Sequence, residues 1–377
     1  MKIIKIFIII LFPYLLHAQN AEHKIYGMLI GSAIGDAAGG PIEFVHPPLR
    51  NCWSKTSTKL SPEAIIALAD SFKLRTYPKN AEPFAQWEDY APAGTITDDT
   101  RFKIIFFNTL KHHNGKLTVK NFATEVLHFR DYVQPAYQAW FDKWIPEIAY
   151  ATRWVLGERN QAYPPERIWG GIPTMIGQMP FIPVAALNPN NPEWCYLKCY
   201  ELGYFDIGFA RDMNSSLIAG LARALQPDGN WENAEQAMRE TDPYNYNNVL
   251  YVPRQLNEWL DKSHCFVKRA DGNVAKLFEI LEKELHTQTW WESWVPIVVV
   301  YSIAEIAQYN PLASMQLVLE FGHDTDSYAQ VMGAFMGAIH GPDIFPKKMR
   351  NTINDRMKEQ FGQNINDWMI LIDKYNQ

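Results

Sequence analysis

Two carboxylates and a hydroxyl stand on consecutive residues ahead of a largely apolar run in this 377-residue chain. Thr97, Asp98 and Asp99 precede the run Phe102–Phe107. Adjacent aspartates repel each other and are costly to bury without a positive charge, so a bound cation would explain them. Oxygen ligands alone favour a hard cation such as Mg²⁺ or Mn²⁺ over zinc. The alternative is a helix N-terminus, where Asp and Thr side chains cap free backbone N–H groups.

A second stretch of the same type lies far along the chain. Asp324, Asp326 and Ser327 follow a glycine and precede another apolar, helix-like segment. Two capping sites this rich in acids are improbable as independent accidents, and together the stretches offer four carboxylates with adjacent hydroxyls. That donor set would hold two divalent cations of the kind that activates water and orients a substrate.

Two helices with small-residue stripes are expected to bring these stretches together. The stripes recur every four residues, at Gly27, Gly31 and Gly35 and at Ala329, Gly333 and Gly337. Each glycine in a helix costs roughly 0.5–1 kcal/mol relative to alanine, so close approach of another helix or of a ligand is expected there. Pro41 ends the first of these helices, and Glu43 follows in a turn. Glu43 is either an acid of the same site or a solvated loop residue.

Helical periodicity dominates the rest of the chain, and we find no convincing run of period-2 alternation. Hydrophobic residues make up 47% of the sequence, which is ample for a packed core. No linker divides the chain cleanly. We therefore predict an all-α fold. The formal net charge is −6 and basic residues form no block, which argues against a nucleic-acid partner.

The N-terminus has the pattern of a secretory signal peptide. Lys2 and Lys5 precede an almost wholly apolar stretch from Ile6 to Leu16, and Ala18 offers a small residue for cleavage. The apolar stretch is shorter than the ~20 residues that span a bilayer. We predict a signal peptide over residues 1–18 and one domain over 19–377. The protein is then exported, periplasmic or secreted, without stable membrane insertion after cleavage.

Four separated stretches of the chain together resemble the ADP-ribosylglycohydrolase family of all-helical, dinuclear-metal hydrolases. These are Gly31–Ala37 with Pro41–Phe44, Gly94–Thr100, the Gly170–Pro183 loop, and Gly322–Ser327 with the glycine-bearing helix that follows. The resemblance implies a single compact orthogonal helical bundle. It also implies two divalent cations, Mg²⁺ or Mn²⁺, as cofactors.

The resemblance further implies roles for individual residues. The implied metal ligands are Thr97, Asp98, Asp99, Asp324, Asp326 and Ser327. The implied catalytic residues are Glu43, Asp98 and Asp324. The implied substrate-binding residues are Gly171, Gly177, Gln178 and Asp36.

In such enzymes the cations bind the ribose hydroxyls and an activated water attacks the anomeric carbon. The expected substrate is a small molecule or an ADP-ribosylated partner, cleaved at an N- or O-ribosyl bond. The chain departs from the family pattern at Ser327, where threonine is usual, at His323, where glycine is common, and in its middle loop.

Three alternatives to this activity are kept. One is hydrolysis of another ribosyl conjugate, which the divergent middle loop leaves open. A second is a non-catalytic protein that binds ADP-ribose or a nucleotide and retains the fold. The third, a dinuclear phosphohydrolase, is disfavoured because the His ligands that such sites often use are missing from the pattern.

Overall fold

The computed structural model describes residues 2–45, 48, 59–77, 91–132 and 146–376. Regular structure within these residues is helical throughout. Two isolated bridges, Lys59 with Asn273 and Thr174 with Glu292, are their only β-type pairings. The predicted all-α class is confirmed.

Helices of very different length follow one another along the chain. The α-helices are α1 (Lys2–Gly39), α2 (Pro62–Ser71), α3 (Asp98–His112), α4 (Val119–Tyr132), α5 (146–155), α6 (Gln178–Phe181), α7 (Val184–Leu187), α8 (Pro192–Leu202), α9 (Ala210–Leu225), α10 (Trp231–Glu240), α11 (Gln255–Ala270), α12 (Val274–Glu284), α13 (Trp294–Ile306), α14 (Pro311–Phe321), α15 (Thr325–His340), α16 (Lys347–Phe361) and α17 (Ile365–Tyr375). Short 3-10 helices cover Gly40–Ile42, Pro165–Gly171, Tyr246–Asn248 and Pro342–Ile344.

The helices α1 and α15 lie backbone against backbone along the two small-residue stripes. A Cβ atom added to Gly31 would come within 2.2 Å of the Gly333 carbonyl oxygen. At the end of α1, a Cβ atom on Gly39 would lie 2.4 Å from the Asp326 Cα atom. Side chains cannot be accommodated at such distances, so glycine is required at these contacts. The predicted close packing of the two helices is confirmed, and it delivers the end of α1 to the second acidic stretch.

Both acidic stretches are helix N-termini. Thr97 is the N-cap of α3, and its hydroxyl accepts a hydrogen bond from the Asp99 N–H at 3.3 Å. Asp324 is the N-cap residue of α15. The chain turns into α15 through Gly322 at φ +89° and His323 at φ +62°. Capping at Thr97 is therefore real, and the positive end of each helix dipole also faces the carboxylates.

The N-terminal helix is continuous in the structure. It runs from Lys2 to Gly39, so the predicted cleavage after residue 18 falls inside it. The signal peptide and the domain boundary at residue 19 stay predictions. Over the part of the chain that the structure describes, we find no helix with the length and apolar character needed to cross a membrane.

Replacing Gly31 with alanine is expected to lower the free energy of unfolding by about 1–3 kcal/mol, the usual cost of overpacking. The added methyl group would meet the backbone of α15, which cannot rotate away. Ser32→Ala is the matched control, because Ser32 is fully buried and its hydroxyl bonds to no described residue. That change is expected to be neutral or slightly stabilising. Urea denaturation measures the free energy of unfolding of both variants and of the wild type. A Gly31→Ala variant as stable as the wild type would contradict the helix contact.

Candidate metal centre

Asp36 ties the end of α1 to the first turn of α3. One of its oxygens accepts hydrogen bonds from the Thr97 N–H at 2.9 Å and from the Thr97 hydroxyl. The other accepts from the Thr100 N–H at 3.1 Å. Asp36 is fully buried, and it satisfies backbone N–H groups that the helix start leaves free. It thereby fixes the position of the first acidic stretch.

Asp99 is held from both α15 and its own helix. The Ser327 hydroxyl donates to Asp99 Oδ2 at 3.1 Å, and the Gln330 amide donates to Asp99 Oδ1. The Lys103 ammonium donates to the Asp99 carbonyl at 2.9 Å and to Gln330 Oε1 at 2.5 Å. The two acidic stretches, far apart in sequence, are therefore joined by direct side-chain hydrogen bonds.

The carboxylates form two groups that share one member. Oxygens of Asp36, Asp99 and Asp326, here the Asp99 group, all lie within 4.8 Å of one another. Oxygens of Glu43, Asp324 and Asp326, here the Glu43 group, do the same. Oxygens this close can all ligate one divalent ion, because metal–oxygen distances are about 2.0–2.6 Å. Asp98 lies beside the groups, where it lines the same cleft as Asp99 and Asp326.

Burial and mutual repulsion raise the pKa values of the clustered carboxyl groups. Burial, followed by the charges of Asp326 and Asp36, raises the pKa of Asp98 to about 7. Burial, followed by the charge of Asp36, raises the pKa of Asp326 to about 6. Burial and then the charge of Asp326 raise the pKa of Glu43 well above its usual value. The remaining carboxyl groups shift in the same direction: Asp36, Asp99 and Asp324.

Glu43 differs from the other acids in its exposure. The residue is partly exposed, but its carboxyl group is surrounded by protein and by four other carboxylates. It is carried by the turn that follows the 3-10 helix Gly40–Ile42. Glu43 is therefore an acid of this cluster and not a solvated loop residue.

Two buried basic side chains accompany the cluster in the part of the chain that the structure describes. Burial lowers the pKa of Lys103 to about 8, while the neighbouring carboxylates act in the opposite direction. Arg101 is also fully buried, donates to the Ile96 carbonyl at 2.6 Å, and lowers the pKa of Asp98 by its charge. Apart from these two basic groups, the atoms of the cluster that could ligate a metal are carboxylate and hydroxyl oxygens. Such a set of ligands fits a hard divalent cation.

The six predicted metal ligands are all found at this cluster: Thr97, Asp98, Asp99, Asp324, Asp326 and Ser327. The Thr97 and Ser327 hydroxyls each donate to a carboxylate, which leaves lone pairs that a cation can use. Asp36, predicted to bind substrate, lies in the Asp99 group, and its predicted role is not tested by that position. The ligand assignments stay predictions.

A narrow cleft is lined by the cluster and by a wall of aromatic and apolar side chains. The acidic and hydroxyl-bearing lining residues are Glu43, Asp98, Asp99, Thr174, Asp324, Asp326 and Ser327. The aromatic and apolar lining residues are Phe44, Trp169, Met175, Ile176, Met179 and Trp291. The cavity volume is about 20 Å³, enough for a water molecule or an ion. A sugar ring can enter only if side chains of the wall move.

Three residues at or beside this cleft have left-handed backbone. Phe44 at φ +50°, Trp169 at φ +43° and His323 at φ +62° all adopt left-handed conformations that are rare for such residues. The Phe44 N–H donates to the His323 carbonyl at 2.8 Å. The His323 ring stacks on Trp290, with centroids 3.6 Å apart. His323 therefore supports the cleft through its backbone while its ring packs against Trp290.

The middle-loop residues predicted to bind substrate lie in two different environments: Gly177 and Gln178 are buried, and Gly171 is exposed. The Gly177 N–H donates to Asp206 at 3.0 Å, and a Cβ atom there would lie 2.1 Å from that carboxylate. Gln178 is fully buried and donates to Asn214 at 2.8 Å and to the Ser293 carbonyl at 2.9 Å. Gly171 is exposed at the end of a 3-10 helix. Gly177 and Gln178 thus anchor the loop whose residues 174–176 line the cleft.

Several residues of the centre were missed in the sequence. Lys103 follows Asp99 by one helical turn, and Gln330 follows Ser327 by three residues, so spacing alone could have flagged both. Trp169 adjoins the glycine-rich loop that the sequence did single out. Trp291 carries no such signal, because it reaches the cleft through the bridge that its neighbour Glu292 makes with Thr174.

Comparisons with known proteins agree with this architecture. A solved structure described as an "ADP-ribosylglycohydrolase-related protein complex" is similar in fold, with a TM-score of 0.56 and 13% sequence identity. The alignment covers 95% of this chain and 100% of that one. No curated protein matches the chain. Residues 17–376 match the ADP-ribosylglycohydrolase family profile. Because that match spans nearly the whole sequence, the chain belongs to the ADP-ribosylglycohydrolase family.

Proposed function

We propose that this protein is a metal-dependent hydrolase that cleaves the N- or O-ribosyl bond of an ADP-ribosylated substrate, with two Mg²⁺ or Mn²⁺ ions as cofactors. The observation that carries the proposal is the pair of carboxylate groups that share Asp326. A shared carboxylate suits two neighbouring cations, as in other two-metal hydrolases. Membership of a glycohydrolase family supports the reaction class.

The charge of the cluster supports a count of two cations. Six carboxyl groups lie together: Asp36, Glu43, Asp98, Asp99, Asp324 and Asp326. Among the residues that the structure describes, the buried basic side chains that act on them are Lys103 and Arg101, and the charge balance is counted over these groups. With every carboxyl ionised, four negative charges remain unbalanced, the charge that two divalent cations supply. Without them, protons must neutralise the cluster, which is what the raised pKa values express.

Glu43 is the best-placed group for proton transfer. When bound, divalent cations would lower the pKa of water and orient ribose hydroxyls. Glu43 lines the cleft in which that water and the ribose would meet, and burial with the surrounding carboxylates raises its pKa, which favours the protonated form that a general acid needs. Asp98 and Asp324 line the same cleft. Asp36, by contrast, holds the start of α3 in place through its hydrogen bonds.

The aromatic wall would shape the substrate side of the cleft. Trp169, Trp291 and Phe44 line the same cleft as the acids. Aromatic faces pack on sugar rings and planar groups and exclude water from the bond to be broken. Residues 1–18 lead us to propose that this reaction takes place outside the cytoplasm.

A second candidate substrate is a ribosyl conjugate with a planar, uncharged leaving group. The observation that favours it is the composition of the wall. In the lining that the structure describes, the charged side chains all belong to the carboxylate cluster. The reaction and the residues would be the same, and the two substrates differ only in the group that leaves.

The purified protein is expected to release ADP-ribose from arginine- or serine-ADP-ribosylated peptides in Mg²⁺ and not in EDTA. Glu43→Gln is expected to slow release by about 10²-fold or more, because an amide cannot transfer the proton. Glu125→Gln is the matched control, since Glu125 is a buried glutamate bonded to His112 and His113 at the far end of α3. Chromatography of the products measures release.

This assay also separates the alternatives. Release from a panel of aromatic ribosyl conjugates, but not from the peptides, would select the second candidate. Metal-dependent binding of ADP-ribose without cleavage of any conjugate would contradict the hydrolase and identify a binding protein.

Without divalent cations, the protein is expected to lose stability as the pH rises from about 5 to 8. In the folded state the pKa of Asp98 is about 7 and that of Asp326 about 6, against 3.8 for a free aspartate. The folded state therefore holds protons that the unfolded chain has lost, and their removal destabilises it. Cations replace those protons, so the difference in melting temperature between Mg²⁺ and EDTA should widen with pH. Thermal melts across this range would contradict the account if the difference stayed constant.

A further inference from the structure

Lys103 is a cation built into one side of the carboxylate cluster. Its side chain is fully buried, and it donates to the Asp99 carbonyl at 2.9 Å and to Gln330 Oε1 at 2.5 Å. Since the amide oxygen of Gln330 accepts from the lysine, the amide nitrogen is turned to Asp99 and donates to its Oδ1. The hydrogen bond from Lys103 therefore fixes the orientation of the Gln330 amide, with its nitrogen facing the Asp99 carboxylate.

The two carboxylate groups differ in the partners they already have. In the Asp99 group, both Asp99 oxygens accept hydrogen bonds, from Gln330 and from Ser327. The Asp36 oxygens in the same group accept hydrogen bonds from the Thr97 and Thr100 N–H groups at the start of α3. The charge of Lys103 also lowers the pKa of Asp36 and of Asp99 against the effect of burial.

Lys103 acts unequally on the two groups: it interacts most strongly with Asp99 and Asp36, and more weakly with Asp326, the member that the Glu43 group shares. The charges that act most strongly on Glu43 belong to Asp326, Asp324, Asp98 and Asp99, all of them carboxylates. For Asp324 the leading charge is that of Asp326. Among the described residues, a divalent cation at the Glu43 group would therefore meet negative charge that Lys103 compensates less than it does in the Asp99 group.

We propose that Lys103, acting through Gln330 and Asp99, makes the two cation positions unequal, so that the Asp99 group binds its divalent cation more weakly than the Glu43 group. The inference rests on the proposed function, because it requires both groups to hold cations. A cation entering the Asp99 group approaches an ammonium group and competes with hydrogen bonds already made to Asp99 and Asp36. Lys103 and Gln330 are positioning residues, since they act on the cation through Asp99.

The consequence is stepwise loading of the site. The Glu43 group fills first, and the Asp99 group fills only as the free cation concentration rises. An activity that needs both cations would then follow the concentration of free Mg²⁺ or Mn²⁺ around the weaker of the two dissociation constants. Lys103 would set that threshold.

Titration of the full-length protein with Mn²⁺ at pH 7 tests this directly. Electron paramagnetic resonance of free Mn²⁺ counts the bound ions and gives each dissociation constant. The wild type is expected to bind two ions with constants that differ by about tenfold or more. Lys103→Met keeps the length of the side chain and removes its charge. It is expected to tighten the weaker step by about tenfold or more and to leave the stronger step within about twofold.

Two further variants make the result decisive. Lys103→Gln is a second neutral replacement that retains a polar end, should the methionine variant fail to fold. Lys24→Met is the matched control, because Lys24 is a buried lysine that donates to the Ala224 and Gln226 carbonyls at 3.3 and 2.6 Å. It lies 12 residues before Asp36 on α1, about 18 Å along the helix, and its loss is expected to leave both constants unchanged.

The outcomes distinguish this inference from the proposed function. Two equal constants in the wild type overturn the inference, and so do folded Lys103 variants with wild-type constants. In both cases the two-cation site itself is supported. A wild type that binds no Mn²⁺ overturns the cation site of the proposed function, and the inference with it.

Discussion

Repulsion among buried carboxyl groups is the constraint on which the centre of this structure depends. Three chain segments contribute the acids, and burial raises the pKa of every one of those groups. The charges of neighbouring carboxylates add to this at Glu43, Asp98, Asp99, Asp324 and Asp326. Hydrogen bonds to individual carboxylate oxygens offset part of this repulsion. They come from the N–H groups at the start of α3 and from the Ser327 hydroxyl. What the chain leaves unbalanced is negative charge on oxygen, the environment that a hard divalent cation prefers.

The packing of α1 on α15 makes that concentration of charge possible. Glycine contacts along both helices remove the side chains that would hold the backbones apart. Asp36 on α1 then reaches the start of α3, and Asp326 at the start of α15 joins both carboxylate groups. A methyl group at Gly31 or Gly333 would meet backbone atoms of the other helix, so the geometry of the acids is coupled to residues that touch no ligand.

The sequence predicted the parts of this centre that local pattern encodes. Helical periodicity identified the fold class, and four-residue glycine spacing identified the helix pair that packs closely. The acidic helix starts stood out because adjacent aspartates repel each other and because two capping sites so rich in acids are improbable as independent accidents. Thr97 caps α3, and aspartates of both helix starts belong to the carboxylate groups.

The sequence did not reveal contacts made across the fold. Lys103 lies in an apolar run, and only the structure brings it to Gln330, 227 residues away. The hydrogen bonds of the Gln178 side chain to Asn214 and Ser293, partners far along the chain, were likewise not predicted. Trp169 and Trp291 line the cleft from loops in which Trp169 and Trp290 have left-handed backbone, which side-chain pattern does not encode.

The central claim is that the shared cluster binds two divalent cations. Anomalous diffraction from a crystal of the protein grown with Mn²⁺ tests it most directly. The account predicts two anomalous peaks, one among Asp36, Asp99 and Asp326 and one among Glu43, Asp324 and Asp326, with Asp326 touching both. A cluster without an anomalous peak at saturating Mn²⁺, its carboxyl groups bonded only to one another and to water, would contradict it.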